Sequence, residues 1–398
     1  MKQNLLKRKK SVKNILNTPI LYIINIFLIF YLIMQAYSSS TITLKLINTG
    51  EQGKIISDSF KNNFLPGTID GIYYTSGSFT NLITASGQTI TLELKNNFAC
   101  CQGLFSFEGP KIIKEINMNS FTTSSVTTTK NMFYNQNSLV KVTLGKFKMD
   151  DVTDMTSMFQ DCISLTTVDI INMNFAGVQT MDYMFYNAKS ITSLTFPSFK
   201  NDNSLYFKNI FENCIQLQTI SLSSLHLNNQ FNFPNMFNNC ISLKYIYMPY
   251  INTQLSVNLN NLFDSLVNLV AVTFYSNNYF KVVSSKYIFN NCIKLTTISN
   301  FEKLNFNDIR DMSYMFNNCT SLTSITIPNF KGNQNGNNLA YMFNGCLNLR
   351  SVIFTGSDTF YATNLNHIFS GCINLSTTKF YYKLDRKSTR LNSSHGYI

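Results

Sequence analysis

Histidine is almost missing from this sequence: 398 residues contain three, and only His226 and His367 lie in the body of the chain. Two imidazoles so far apart argue against a histidine-centred catalytic or zinc site. No nucleophile stands beside a base in the repeated region either, so no catalytic residue, metal ligand or cofactor is expected. Long apolar runs are scarce as well. Ile20 to Met34 is an apolar stretch interrupted only by Asn25, preceded by Lys2, Lys7, Arg8, Lys9, Lys10 and Lys13 without one acid. That pattern reads as a secretory signal over residues 1–38, with small residues for cleavage around Ala36 to Ser40. A signal anchor is the alternative, although the stretch is shorter than the about 20 apolar residues usual for a span. Either reading puts Ser38 onward outside the cytosol, at the cell surface or in the extracellular space.

Acids are outnumbered 20 to 32 by Lys and Arg, for a net charge of +12. Six of those charges belong to the N-terminal segment and two to the last stretch, Asp385 to Ile398, which leaves about four for the rest. The high pI is therefore no sign of nucleic-acid binding, and no nucleic-acid partner is expected. The last stretch begins "DRKSTRLNSSH", which resembles a translated sequencing adapter. The resemblance implies that 385–398 is an artefact and that the natural C-terminus lies beyond this sequence. A membrane tether could then come from the N-terminal segment or from the missing C-terminus.

What is abundant is repetition. An apolar-Phe pair recurs at Met132-Phe133, Met158-Phe159, Met184-Phe185, Ile210-Phe211, Met236-Phe237, Leu262-Phe263, Ile288-Phe289, Met315-Phe316, Met342-Phe343 and Ile368-Phe369. The interval is identical seven times and one residue longer twice. Phe107 stands one more interval upstream, which makes eleven units with an atypical first one. Three residues after most of these Phe comes a cysteine (Cys162, Cys214, Cys240, Cys292, Cys319, Cys346, Cys372), then an aliphatic such as Leu165, then an alternating strand such as Thr323 to Ile327. Upstream, Val152 and Met155, or Ile309 and Met312, stand three apart beside an acid, which predicts one face of a short helix. One such unit cannot bury its apolar side alone. Stacked units can, because each coil walls the core of the next.

The pattern "MFxxCxSLxxIxIxxF" with its "DMxxMF" entry closely resembles the BspA-like leucine-rich repeats of bacterial and protist surface proteins, from Ser106 to Leu384. The resemblance implies an α/β leucine-rich-repeat solenoid over 106–384, with eleven coils of about 26–27 residues and one long parallel sheet. It also implies display at the cell surface, adhesion or ligand binding to a protein or glycan partner, and no catalytic residues. The chain departs from the pattern at Gln136, Ala188 and Leu266, where the cysteine is replaced, and near Asn277 and Asn300, where the strand alternation weakens.

Residues 39–105 fall outside the repeat. "TITLKLI" from Thr41 and "TITLELK" from Thr89 alternate with period two, and "LPGTIDG" and "SGSF" read as turns, so a small β-rich cap over the first coil's edge is expected. The cysteine column reads as buried filler, with disulfides between neighbouring coils as the alternative; Cys100 and Cys101 are the more apt to be oxidised. Asn318 and Asn374 fit the glycosylation acceptor pattern. The outward face of the strands is rich in Ser and Thr, interrupted by tyrosine. Tyr245, Tyr247, Tyr275, Thr273, Thr219 and Ser221 are the expected ligand-binding residues, since tyrosine combines an apolar ring with a polar handle. A structural coat, or a binder of ice or crystalline polysaccharide through the Thr/Ser face, is the other reading of the same surface.

Overall fold

A backbone that returns to the same place once per repeat can hydrogen-bond each coil to the next, and this chain does so along its length. The computed structural model describes residues 41–46, 52–53, 55–60, 67–69, 72–74, 82–83, 89–93, 100–121, 126–145, 147, 150–170, 173–201, 204–227, 231–251, 256–328, 330, 337–355, 359–360, 362–380 and 383–384. The signal segment at 1–38, the turn at 76–79 and the tail at 385–398 lie outside the described residues. The chain divides into two units, Met1–Ser40 and Thr41–Ile398, and the second carries the fold.

Its principal face is a row of short parallel strands at Ile113–Ser120, Lys141–Thr143, Thr167–Asp169, Ser193–Thr195, Thr219–Ser221, Tyr245–Ile251, Ala271–Tyr275, Thr297–Ser299, Ser324–Ile327, Ser351–Phe354 and Thr377–Phe380. Within a stretch of sheet each strand pairs in register with the strand one coil on, as in Ile220 beside Ile246 beside Val272. Val142, Ile220, Ile246, Val272 and Val352 point inward and are buried. The hydrogen-bonded sheet is not one continuous sheet, however. It runs in three stretches, broken between Thr167–Asp169 and Ser193–Thr195 and again between Thr297–Ser299 and Ser324–Ile327. At the second break Asn300 adopts a left-handed conformation (φ 58°) and leads into a 3-10 turn, Phe301–Lys303, which is where the strand alternation fades in the sequence.

The core is a column of stacked phenylalanines. Ring centroids from Phe133 through Phe369 succeed one another at 5.0 to 6.0 Å, with planes within 19° of parallel. From Phe133 to Phe369 these steps make nine complete turns, where eleven coils were expected from Phe107 onward. The upstream unit enters the column through Phe105, stacked on Phe133 at 5.3 Å, and not through Phe107. Phe107 is two residues off the column, half-buried under the ammonium of Lys111. Spacing misassigned it because the first coil is two residues longer than the commonest repeat.

The segment that carries the Met-Phe pair is not helical. Around Phe159 the amides of Ser157, Phe159 and Asp161 donate to Asp182, Met184 and Tyr186 of the next coil at 2.8 to 2.9 Å. Those of Met158, Gln160 and Cys162 close tight turns onto residues three back. An α-helix would send every amide to the residue four back. The alternation is possible because Ser157 and Asp161 hold φ near +60°, and the same two positions are left-handed from Asn131 and Asn135 to His367 and Gly371. Asn, Asp, Ser and Gly, which tolerate that conformation, fill the second position in every coil. The acid in "DMxxMF" starts this arc: Asp154 Oδ1 accepts from the Thr156 amide at 2.8 Å and Asp311 Oδ1 from the Ser313 amide at 2.8 Å, each a local side-chain turn. Thr128, Asn258, Asn338 and Asn364 do the same. Among the described residues the helix content is the single 3-10 turn, so the α/β expectation gives way to an almost wholly β coil.

At the N-terminal end Thr41–Leu46 lies antiparallel between Thr89–Glu93 and the first principal strand, Ile113–Ser120, covering that strand's edge. Gly67–Ile69, read as a turn from its Gly, is a strand paired with Ile72–Tyr74 and Thr89–Glu93. Its Thr68-Ile69 pair supplies the alternation that the neighbouring Pro and Gly obscured.

Candidate functional site

Five of the six expected ligand-binding residues form one patch. Parallel register sets Thr219 beside Tyr245 beside Ala271, and Ser221 beside Tyr247 beside Thr273. Tyr245 and Tyr247 alternate outward because Ile246 between them is buried, and they expose 41% and 37% of their surface. Tyr275 does not join them directly. An irregularity after Tyr247 brings Tyr250 opposite Tyr275, and Tyr250 in turn stacks on His226 at 4.7 Å. The buried Met248 and Pro249 take up the extra length of that strand. Sequence spacing could not anticipate the slip, since it assumes one residue against one.

Two features escaped the sequence reading. Tyr287, Tyr314, Tyr341 and His367, each two residues before a column Phe, stack on consecutive coils at 4.7, 4.7 and 4.9 Å. The Lys286 ammonium lies 5.1 Å from the Tyr287 ring. Partial burial, then the neighbouring Tyr287 and Tyr341, raise the Tyr314 phenol above its ordinary pKa. Their recurrence at a fixed position was visible in the sequence. The second feature is a ladder of amides: Asn290 Nδ2 donates to Asp264 Oδ1, Asn317 to Asn290 and Asn344 to Asn317, at 2.7 to 2.8 Å.

The cysteines serve the coil interior. Cys162, Cys214, Cys240, Cys292, Cys319, Cys346 and Cys372 each donate the thiol hydrogen to the carbonyl of the preceding coil's column Phe, at 2.9 to 3.1 Å. Gln136 makes the same bond with its amide, to Phe105, at 2.6 Å. All nine cysteines are free thiols, Cys100 and the fully buried Cys101 included. Burial pushes Cys214 up to about 12 and drives Cys162 and Cys319 higher still. The acceptor asparagines are also engaged. Asn318 Nδ2 donates to Asn291 Oδ1 at 2.9 Å and Asn374 Nδ2 to the Leu347 carbonyl at 2.8 Å, so a glycan at either position breaks an intercoil bond.

Among the described residues no cluster of three His, Cys, Asp or Glu could hold a metal ion, and no helix is long and apolar enough to cross a membrane. The surface offers hydroxyls, rings and amides in register, which is chemistry for binding.

Residues 234–376 match the BspA-type leucine-rich-repeat region in six copies. That region is built of BspA-type leucine-rich repeats. Residues 101–222 match a family described as Mycoplasma protein of unknown function, DUF285. Among solved structures, the chain is similar to a leucine-rich cell surface protein from Faecalibacterium prausnitzii A2-165, at 16% identity and a TM-score of 0.28, over 77% of this chain and 93% of the other. It is also similar to TLR13 in its complex with the single-stranded RNA ssRNA13, at 14% identity and a TM-score of 0.23, over 62% of this chain and 40% of the other. No curated protein matches.

Proposed function

We propose that this BspA-type solenoid is a cell-surface or secreted binding protein that recognises a protein or glycan partner on the outward face of its principal sheet. The observation that carries the reading is the adjacent, exposed pair Tyr245 and Tyr247, flanked in register by Thr219, Ser221 and Thr273. A folded strand gains nothing by holding two rings in water, whereas a partner that covers them removes apolar surface and finds hydroxyls beside it. The flat-lattice reading, a coat or an ice or crystal binder, fits less well. Tyrosines interrupt its hydroxyl rows, and the sheet's two breaks disturb the regular spacing that a crystal face demands.

The test is the double substitution Tyr245→Ser with Tyr247→Thr, which restores residue types used at these positions in other coils. The full chain and the variant are compared on a glycan array, an extracellular-protein panel and single-stranded RNA, because net charge alone excludes none of these. Loss of binding with unchanged circular dichroism and melting supports the site. Undiminished binding by the variant moves it elsewhere.

A further inference from the structure

The principal face and the ridge leading into it carry cations in an order that coil register reveals. Taking positions four to ten after each column Phe, the seven coils from Phe185 to Phe343 present Lys189, Lys244, Lys294 and Arg350 and no Asp or Glu. These four occupy every second coil. All are exposed, and among the described residues none is ion-paired with a carboxylate. Two lean back onto neutral oxygens of the intervening coil: Lys244 Nζ donates to Gln218 Oε1 at 3.2 Å and Lys294 Nζ to Asn268 Oδ1 at 2.7 Å. Their positive charge therefore stays uncompensated.

Parallel coils repeat at about 4.8 Å, so Lys189, Lys244 and Lys294, whose coils share one unbroken stretch of sheet, recur about every 10 Å along the stack, staggered across it because they stand at different places after their Phe; Arg350 follows beyond the second break. On the intervening coils lie Thr219, Ser221, Thr273 and Thr323, and the exposed rings of Tyr245 and Tyr247 sit beside Lys244 on its own coil. We infer that this face binds a linear acidic polysaccharide carrying one carboxylate per disaccharide, aligned along the coil axis. An extended disaccharide is close to two coils in length. Its hydroxyls find the Ser and Thr of the intervening coils, and its ring faces find Tyr245 and Tyr247. A nucleic acid, with its denser phosphates, would leave most of its charge between cations spaced this widely. The inference rests on the glycan half of the proposed function and adds the charge and direction of the ligand.

The test uses the full chain and a polymer of alternating glucuronate and N-acetylglucosamine, with its carboxyl-reduced form and single-stranded RNA as comparisons. The acidic polymer binds at least tenfold more tightly than its reduced form, and affinity falls as salt rises. Each of Lys189→Gln, Lys244→Gln, Lys294→Gln and Arg350→Gln flattens the salt dependence by up to about one unit of log-log slope, and the fourfold variant loses binding with its melting unchanged. Lys281→Gln, whose lysine is ion-paired with Asp308 at 2.8 Å, leaves binding as it was. Equal binding of the carboxyl-reduced polymer overturns the inference while leaving the tyrosine site standing. Tighter binding of RNA through the same four residues overturns it in favour of a nucleic acid. Absence of polysaccharide binding overturns it outright, and the double tyrosine variant, assayed on the arrays, then decides the broader reading independently.

Discussion

The thiol of Cys162 donates to the main-chain carbonyl of Phe133, one coil back, at 3.1 Å. The same carbonyl also accepts from the Gln136 amide within its own coil, at 3.2 Å. The thiol is thus a second, intercoil donor to an oxygen that already has one partner. Cys240 stands in the same relation to Phe211. Cys240→Ala should cost only about 1–2 kcal/mol, the loss of one weak bond and a small volume, as the natural Ala188 implies. Urea unfolding measures it; a cost well above that range would mean that the thiol column does more than fill and bond.

Thiol reactivity should follow position in the column. Cys372 is half-exposed at its end, and the neighbouring Cys346 thiol lowers its pKa, while that neighbour and burial raise Cys346. Burial pushes Cys214 up to about 12, so near pH 8 it remains a protonated, unreactive thiol. In the native protein iodoacetamide should label Cys372 well before Cys214 and Cys346, as peptide mass spectrometry would resolve. Simultaneous labelling of all three would contradict these environments.

Phe237 is stacked on both sides, at 5.8 Å from Phe211 and 6.0 Å from Phe263. Phe237→Ala should cost about 3–5 kcal/mol. Phe369, half-buried with its described ring contact on Phe343, should cost less. Denaturant midpoints of the two variants give the comparison, and equal costs would contradict the stacked column.

The turn arc makes its own prediction. Asp311 accepts from both the amide and the hydroxyl of Ser313, so Asp311→Ala should lose about 1–2 kcal/mol, and Asp311→Asn should recover most of it because Asn258, Asn338 and Asn364 fill this role in other coils. Gly345→Ala should be worse than either. Gly345 holds φ +74°, and an added Cβ would collide with Oδ1 of Asn318, whose amide is held by Asn291. A neutral or stabilising Gly345→Ala in a melting experiment would mean that the arc is helical after all.

Deleting 236–261 removes one whole coil and rejoins the columns, since Leu262-Phe263 then follows where Met236-Phe237 stood. The product should stay folded and shorten by about 5 Å in solution scattering. Removing only the first half of that span, 236–248, sets inward residues outward and should unfold the neighbouring coils. Equal damage from both deletions would refute the repeat register.

The sequence by itself determined the period, the inward Phe and Cys columns and the alternation of each principal strand, because burial selects residue type and these positions are buried in coil after coil. Tertiary structure alone decided where the backbone hydrogen bonds go. Val152 and Met155, three apart and both buried, suit a helix face as well as they suit this arc. The choice was made by the carbonyls of the adjacent coil, which take the alternate amides that a helix would keep for itself. The same dependence on neighbours put Phe105 rather than Phe107 in the column, set Tyr275 against Tyr250, and brought Lys189, Lys244, Lys294 and Arg350 onto alternate coils. In the sequence each of those four stands about two repeats from the next, at unequal positions within the repeat. They come near one another only when coils stack, since distance along a solenoid is set by the pitch between coils and not by separation along the chain.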